Sequence, residues 1–264
     1  RNPKKVVFAE AEHYKILKAA QQVKDDGIAE PILLGRRQKI LDLIEEFALE
    51  MDDVCIIDPK EIKQEDKRHE YGDIFWEKRK RKGITQFEAR KLMRERNYYG
   101  SMMVEMGDAD ALISGITRNY RATVKPALEV IGKEEGVNNV VGMYIMRTKK
   151  GTLFLADTTI NLDPTAEEIA DMSIMIAKKV KQFRIKPRIA LLSYSNFGST
   201  RTKDSEKMAK AAAILKEENP NLVVDGEIQG DFALDTEKMQ RIFPFSPLAE
   251  ESANTLIFPN LSSG

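Results

Sequence analysis

Short runs rich in Val, Ile and Leu alternate along this chain with longer amphipathic stretches, a pattern that restricts it to βα units building a mostly parallel sheet. The runs KVVFA, PILLG, VCIID, ADALIS, NVVGMYIM, GTLFLAD, RIALLSYS, NLVVDGE and NTLIFPN are the predicted strands. Most are continuously apolar, as strands covered on both faces should be. The class is α/β. Between the strands, Ile16, Leu17, Ala20 and Val23 form a helical stripe that ends near Gly27, and Thr85 with Glu88 and Thr165 with Glu168 form capping boxes. Asp163-Pro164 also fits an N-cap followed by proline at the first helical position, ahead of the stripe Ile169, Met172, Ile176 and Val180. Ile62 to Met106 breaks the alternation: it reads as a helical pair with a turn near Gly83, a hairpin lid or a dimer arm. TKKG between NVVGMYIMR and GTLFLAD predicts a hairpin, hence one antiparallel pair.

At 264 residues the chain can form one large domain or two smaller lobes. Lys plus Arg equals Asp plus Glu, at 42 each, so no global field favours nucleic acid or an anionic membrane, and basic clusters must act locally. The single cysteine, Cys55, lies in VCIID; it excludes a disulfide framework and predicts a buried thiol in a reducing compartment, the cytoplasm. No apolar run has the length of a membrane span, and RNPKK leads into a strand instead of a signal-peptide core. Arg1-Asn2-Pro3 reads as a linker from a preceding domain, and LSSG ends the chain where a helix covering NTLIFPN is expected.

The most informative loop is SGITRNYRATVKPALEVIG, Ser114 to Gly132. It follows an apolar strand and enters a helix, with Gly115 allowing a sharp turn and Thr123 placed to cap. A helix N-terminus there aims free N–H groups at the loop. Arg118, Arg121 and Lys125 supply cations, and Ser114, Thr117 and Tyr120 supply hydroxyls suited to phosphate or pyrophosphate; a solvated surface loop is the alternative. SYSNFGSTRTKDS, Ser193 to Ser205, repeats the design with Ser193, Tyr194, Ser195, Gly198 and Ser199, ahead of the helix EKMAKAAAILK. Both turns are expected at the carboxyl edge of one sheet, facing each other across a cleft, because ligands of α/β sheets sit beyond the carboxyl ends of strands. KRKRK, Lys78 to Lys82, reads as a solvated helix end offsetting the macrodipole. DGEIQGDFALD places four acids after a strand; helix capping outweighs a metal cage there. The chain lacks G-x-G-x-x-G after its first strand, G-x-x-x-x-G-K-[ST] and H-E-x-x-H, and its two histidines, His13 and His69, lie near no nucleophile motif.

SGITRNYRATVKPALEVIG, LLSYSNFGS, VDGEIQGDFAL and ANTLIFPNLSSG, supported by RKRKGIT and VVFAEAEHYKILKAAQ, together resemble the phosphate acetyltransferase and butyryltransferase family over essentially the whole chain. That resemblance implies acyl exchange between coenzyme A and phosphate, and a homodimer of two-lobed subunits. The lobes, about 1–140 and 141–264, would each hold a mostly parallel sheet flanked by helices, with the site in the cleft between them. Within the family, the opening and the SGITRNY loop are most similar to the phosphotransacetylase-like C-terminal portion of large NADP-dependent malic enzymes. This implies a regulatory domain that binds acetyl-CoA or CoA, with NADP and Mg or Mn confined to a preceding part. Matched by position, Arg79 falls on a cleft arginine, and Lys125 falls where the family has a phosphate-contacting arginine, losing the bidentate fork. Asn119, Tyr120 and Arg121 replace small hydroxyl residues and would crowd the acyl end. The resemblance also places the serine, arginine and aspartate that stabilise the reaction after Gly264, so no catalytic residue is assigned within the chain. An active phosphate acetyltransferase is the alternative, and an inert dimerisation scaffold a third.

Overall fold

The computed structural model describes residues 3–149 and 151–264. Arg1, Asn2 and Lys150, and with them part of the expected linker and one residue of the TKKG turn, lie outside the described residues. The chain divides into two compact units, Arg1–Glu134 and Glu135–Gly264.

The first unit runs β1 (Lys4–Phe8), α1 (Tyr14–Asp25), β2 (Ala29–Leu34), α2 (Arg37–Glu46), β3 (Cys55–Ile57), α3 (Glu65–Arg79), α4 (Gln86–Leu92), α5 (Arg96–Glu105), β4 (Ala111–Ile113) and α6 (Tyr120–Val130). Its four strands are parallel in the order β3-β2-β1-β4. The order reverses between β1 and β4, which opens a crevice at their carboxyl ends. The period-two alternation of strands explains how one sheet feeds two cores. Phe8 and Leu33 pack with Leu17, Ala20 and Ile40 of α1 and α2. Their neighbours Val7, Ile32 and Leu34 pack on the opposite face with Tyr71, Phe75, Tyr99 and Met102 of α3 and α5. Glycines permit the close helical layer: a Cβ on Gly72 would lie 2.7 Å from the Arg90 Cα of α4, and one on Gly100 2.8 Å from Leu112 Cδ1. The segment expected as a helical pair holds three α-helices, because Met93 to Glu95 form a further break before α5. The capping box of Thr85 and Glu88 is formed, and the basic run continues α3 through a 3-10 turn, Lys80–Lys82, that Gly83 ends at φ +86°.

The second unit contains β5 (Met143–Thr148), β6 (Gly151–Ala156), α7 (Ala166–Gln182), β7 (Arg188–Leu192), α8 (Lys203–Glu218), β8 (Val223–Ile228), α9 (Gly230–Ala233), α10 (Thr236–Ile242) and β9 (Thr255–Ile257). Its sheet has the order β5-β6-β9-β7-β8, with β5 and β6 antiparallel as the hairpin reading requires and the other pairs parallel. Ile189, Leu191 and Ile257 face α7 and α8, where the stripe Ile169, Met172, Ile176 and Val180 is buried as expected. Ala190, Leu256 and Ile228 face the opposite side with Met239 and Leu248.

Several expectations are corrected. The α7 box of Thr165 and Glu168 forms, so Asp163-Pro164 precedes the helix and Asp163 instead accepts from Lys207 at 2.6 Å. Cys55 is exposed, because β3 is an edge strand whose alternation turns Ile56 inward and Cys55 outward. Double coverage fails for β5, an edge strand with Tyr144, Ile145 and Met146 all exposed.

Candidate functional site

The parallel pairing of β1 with β4 brings Ala9 N to the Ile113 carbonyl at 3.1 Å and carries the ladder one residue past β1. Glu10 is thereby set beside the loop that leads to α6. Its Oε2 accepts from the amides of Gly115 and Ile116 at 2.6 and 2.7 Å, and its Oε1 accepts from the Thr117 amide at 2.8 Å and from the Thr117 hydroxyl. Gly115, at φ +119°, supplies the backbone turn that points these amides inward. Burial of Glu10 works against ionisation, but the Thr117 hydroxyl and the three amides outweigh it and hold the carboxyl below its ordinary range. The amides of Gly115 to Thr117 thus hold the chain's own carboxylate.

The helix beyond begins earlier than expected. Asn119, not Thr123, is the N-cap, its Oδ1 accepting from Ala122 N at 2.8 Å. Tyr120 and Arg121 occupy the exposed first turn. Pro126 lies inside α6 and cannot donate to the carbonyl four residues back. Asn97 compensates: its Nδ2 donates to the Ala122 carbonyl at 3.3 Å while its Oδ1 accepts from Ser114 Oγ at 2.9 Å. Nothing local in the sequence singles out Asn97, which fastens the start of the loop to the helix.

On the far end of α6, Glu129 gathers charge. Arg79 Nη2 is 3.2 Å and Lys125 Nζ 3.9 Å from its Oε1, and the Tyr98 hydroxyl donates to Oε2 at 2.5 Å. Burial, then the bond to Glu129, pushes the Tyr98 phenol well above its usual range. Arg79 and Lys125, predicted as substrate contacts from distant motifs, thus meet at one acid. Arg118 is held elsewhere, 3.5 Å from Glu95.

A third set of charges lines a cavity of about 170 Å³ at the carboxyl ends of β1, β2 and β3. At its centre Glu12 accepts from Arg36 Nη2 at 2.9 Å, Arg36 Nε at 3.2 Å and the Arg36 amide at 3.0 Å, with Lys39 at 3.4 Å and Arg96 at 3.5 Å. The Arg36 guanidinium first, against the opposing effect of burial, holds the Glu12 carboxyl down to about 2. A carboxyl depressed on folding stabilises the fold above its unfolded pKa, 4.5, and that stability is lost as pH falls toward about 2. Glu12→Gln should remove on the order of 1–2 kcal/mol of this pH dependence, allowing for the solvent-exposed Arg36. Urea midpoints measured across that window should flatten in the variant; an unchanged slope would contradict the assignment.

The second unit repeats the first cradle. β7 pairs with β8, and Glu227, buried near the end of β8, fills the turn after β7. Its Oε1 accepts from the Gly198 amide at 2.5 Å and from Ser195 Oγ at 3.2 Å, while its carbonyl accepts from Phe197 N at 2.9 Å. Phe197 and Gly198 are both left-handed, at φ +47° and +85°, which folds the turn over the carboxylate. Ser195 Oγ lies 3.2 Å from Ser199 Oγ and accepts from Thr200 N at 3.0 Å, and Ser193 Oγ accepts from Ser195 N at 3.1 Å. The Tyr194 hydroxyl pairs with the Thr202 hydroxyl, and its ring is exposed. The acidic stretch resolves into separate duties. Asp225 and Glu227 lie within β8, not after it; Asp225 is 2.5 Å from Lys216, and Asp235 caps α10. Among the described residues no group of three His, Cys, Asp or Glu could hold a metal ion.

The two turns belong to different sheets in different units, which corrects the expectation of a single sheet edge. Each is a donor-rich βα turn beyond a parallel strand, stabilised by a glutamate from the adjoining strand or just past it. This arrangement defines an α/β protein of the phosphotransacetylase type. The chain belongs to the phosphate acetyl/butaryl transferase family, whose model matches residues 1–264. It is 37% identical over 262 residues to an NADP-dependent malic enzyme of Haemophilus influenzae, covering 98% of this chain and 34% of that protein. It is 35% identical over 260 residues to a phosphate acetyltransferase of Bacillus subtilis, covering 98% and 79%. A solved phosphotransacetylase of Streptococcus pyogenes superposes with a TM-score of 0.86 at 36% identity, covering 99% of this chain and 79% of that one. The chain therefore spans about a third of the malic enzyme it matches and about four-fifths of the Bacillus phosphate acetyltransferase.

Proposed function

We propose that this chain is an acetyl-CoA-binding, regulatory domain of a cytoplasmic, homo-oligomeric NADP-dependent malic enzyme. The observation that carries the reading is Glu129, which engages both Arg79, matched to a cleft arginine, and Lys125, matched to the family's phosphate-contacting arginine. An acyl phosphate would have to displace a carboxylate already bonded there, with a single-point lysine in place of a guanidinium fork. The hydroxyls of Ser195 and Thr117 are likewise turned onto internal glutamates. What stays exposed suits parts of a coenzyme A ester: Tyr120 and Arg121 in the first unit, and Tyr194 in the second. Ser114, Gly115, Thr117, Ser193, Gly198 and Ser199 shape the turns that present these groups, and Arg118 adds charge. In this reading NADP and a divalent metal act in another part of a longer protein, and malate decarboxylation happens there.

Calorimetric titration of the purified protein with acetyl-CoA tests the reading. Tyr120→Ala and Arg121→Ala should each weaken binding about tenfold, near 1.4 kcal/mol, without altering the melting temperature. Saturable binding that neither variant changes, or no binding at all, would reject it. The second reading, an active phosphate acetyltransferase, is favoured by the Bacillus relative, which matches as strongly as the malic enzymes and extends little beyond this chain.

A further inference from the structure

We propose that the cavity at the carboxyl ends of β1, β2 and β3 is a binding site for a small phosphate-class dianion. Five cations line it: Arg36, Lys60, Arg94, Arg96 and Arg118. The acids beside them are Glu12, Asp58 and Glu95, so the lining carries two positive charges in excess, five minus three.

The acids are also spent internally. Glu12 is taken up by Arg36 and Lys39, with Arg96 at 3.5 Å, and Glu95 faces Arg118 at 3.5 Å. Asp58 Oδ1 accepts from the Lys60 amide at 2.9 Å, closing its own turn. Two cationic groups and one N–H of a third are left over. Arg96 Nη1 is buried without a hydrogen-bond partner, its nearest carboxylate oxygen standing 3.5 Å away on Glu12. The Lys60 ammonium and the Arg94 guanidinium have no hydrogen-bonding or ionic partner among the described residues. Gathering four guanidiniums and an ammonium in so small a space is repulsive unless an anion answers them, and a buried unpaired guanidinium N–H costs free energy until it finds an acceptor.

Size narrows the occupant. A cavity of about 170 Å³ is smaller than the roughly 300–1,000 Å³ that holds a whole cofactor, yet it exceeds the ~30 Å³ share of one water several-fold. It suits an orthophosphate, a pyrophosphate, or the phosphate end of a larger ester entering from the open side. Arginine forks match the tetrahedral oxygens of such a group. The cavity shares Arg118 with the proposed acetyl-CoA contacts but stands on groups outside them.

The test is calorimetric titration of the whole protein with sodium pyrophosphate and with orthophosphate, in chloride buffer. Wild type should bind at one site. Lys60→Ala and Arg94→Ala, both at exposed positions whose side chains carry no internal pair, should each weaken that binding about tenfold, and the double variant about a hundredfold, with melting temperatures unchanged. Adding saturating acetyl-CoA separates the two sources of the anion: displacement of pyrophosphate assigns the site to the phosphates of the ester, and simultaneous binding assigns it to a free phosphate. No saturable binding of either anion by wild type, or equal affinity in the double variant, overturns the proposal. Pyrophosphate binding without acetyl-CoA binding would sink the acyl-CoA reading and leave this one standing.

Discussion

Glu10→Ala is expected to destabilise the first unit by about 3 kcal/mol, because it strips the acceptor from three amides and a hydroxyl that converge on one buried carboxylate. The residues that donate are themselves exposed, so water can reclaim part of the loss. This keeps the figure well below the sum of four orphaned donors. Glu10→Gln restores one carbonyl acceptor but sets an amide NH₂ against backbone N–H groups, so it should recover less than half of the stability. Urea unfolding gives the magnitude, and amide hydrogen exchange at Gly115 to Thr117 should accelerate in both variants. Wild-type exchange in Glu10→Ala would mean that the turn holds its shape without the carboxylate, and the account of the cradle would fail.

Gly226→Ala should be at least as damaging to the second unit. A Cβ there would lie 2.6 Å from the Leu191 carbonyl oxygen and 2.8 Å from Leu191 Cβ, and the backbone sits at φ +149°, where side chains are strained. The obstruction is backbone and cannot rotate away, so β7 and β8 must separate. The expected cost exceeds about 3 kcal/mol, a fall in Tm on the order of 10 °C. Because Glu227 is the next residue, the Ser195 to Ser199 turn should loosen with it. A melting curve within about 2 °C of wild type would contradict this packing.

How far these features can be read from sequence follows from their range. The strands were readable because each is a local apolar run, and the boxes at Thr85 and Thr165 because their partners lie three residues away. Helix α6 begins a turn before its local signal: its apolar stripe starts at Val124, whereas Asn119 caps it ahead of an exposed first turn. Sheet membership was hidden, since nothing in a run of Val and Leu says that β9 inserts between β6 and β7. The glutamates filling the turns were hidden for the same reason. Glu10 lies 105 residues from Gly115, and only the pairing of β1 with β4 brings them together. The exposure of Cys55 is hidden because an apolar run looks alike in a central strand and in the edge strand β3. The loops themselves were found, because Gly, Ser and Arg concentrated after an apolar run mark a turn locally. What the loops bind internally was a matter of long-range topology.

The proposal of a regulatory domain rests on Arg79 and Lys125 being met from within by Glu129, so that a bound coenzyme A ester would not transfer its acyl group. The direct measurement is acetyl phosphate formation from acetyl-CoA and inorganic phosphate by purified protein that calorimetry shows to be saturated with acetyl-CoA. The account predicts no formation above the uncatalysed background; turnover of about 1 s⁻¹ or faster, within the range of ordinary enzymes, would contradict it.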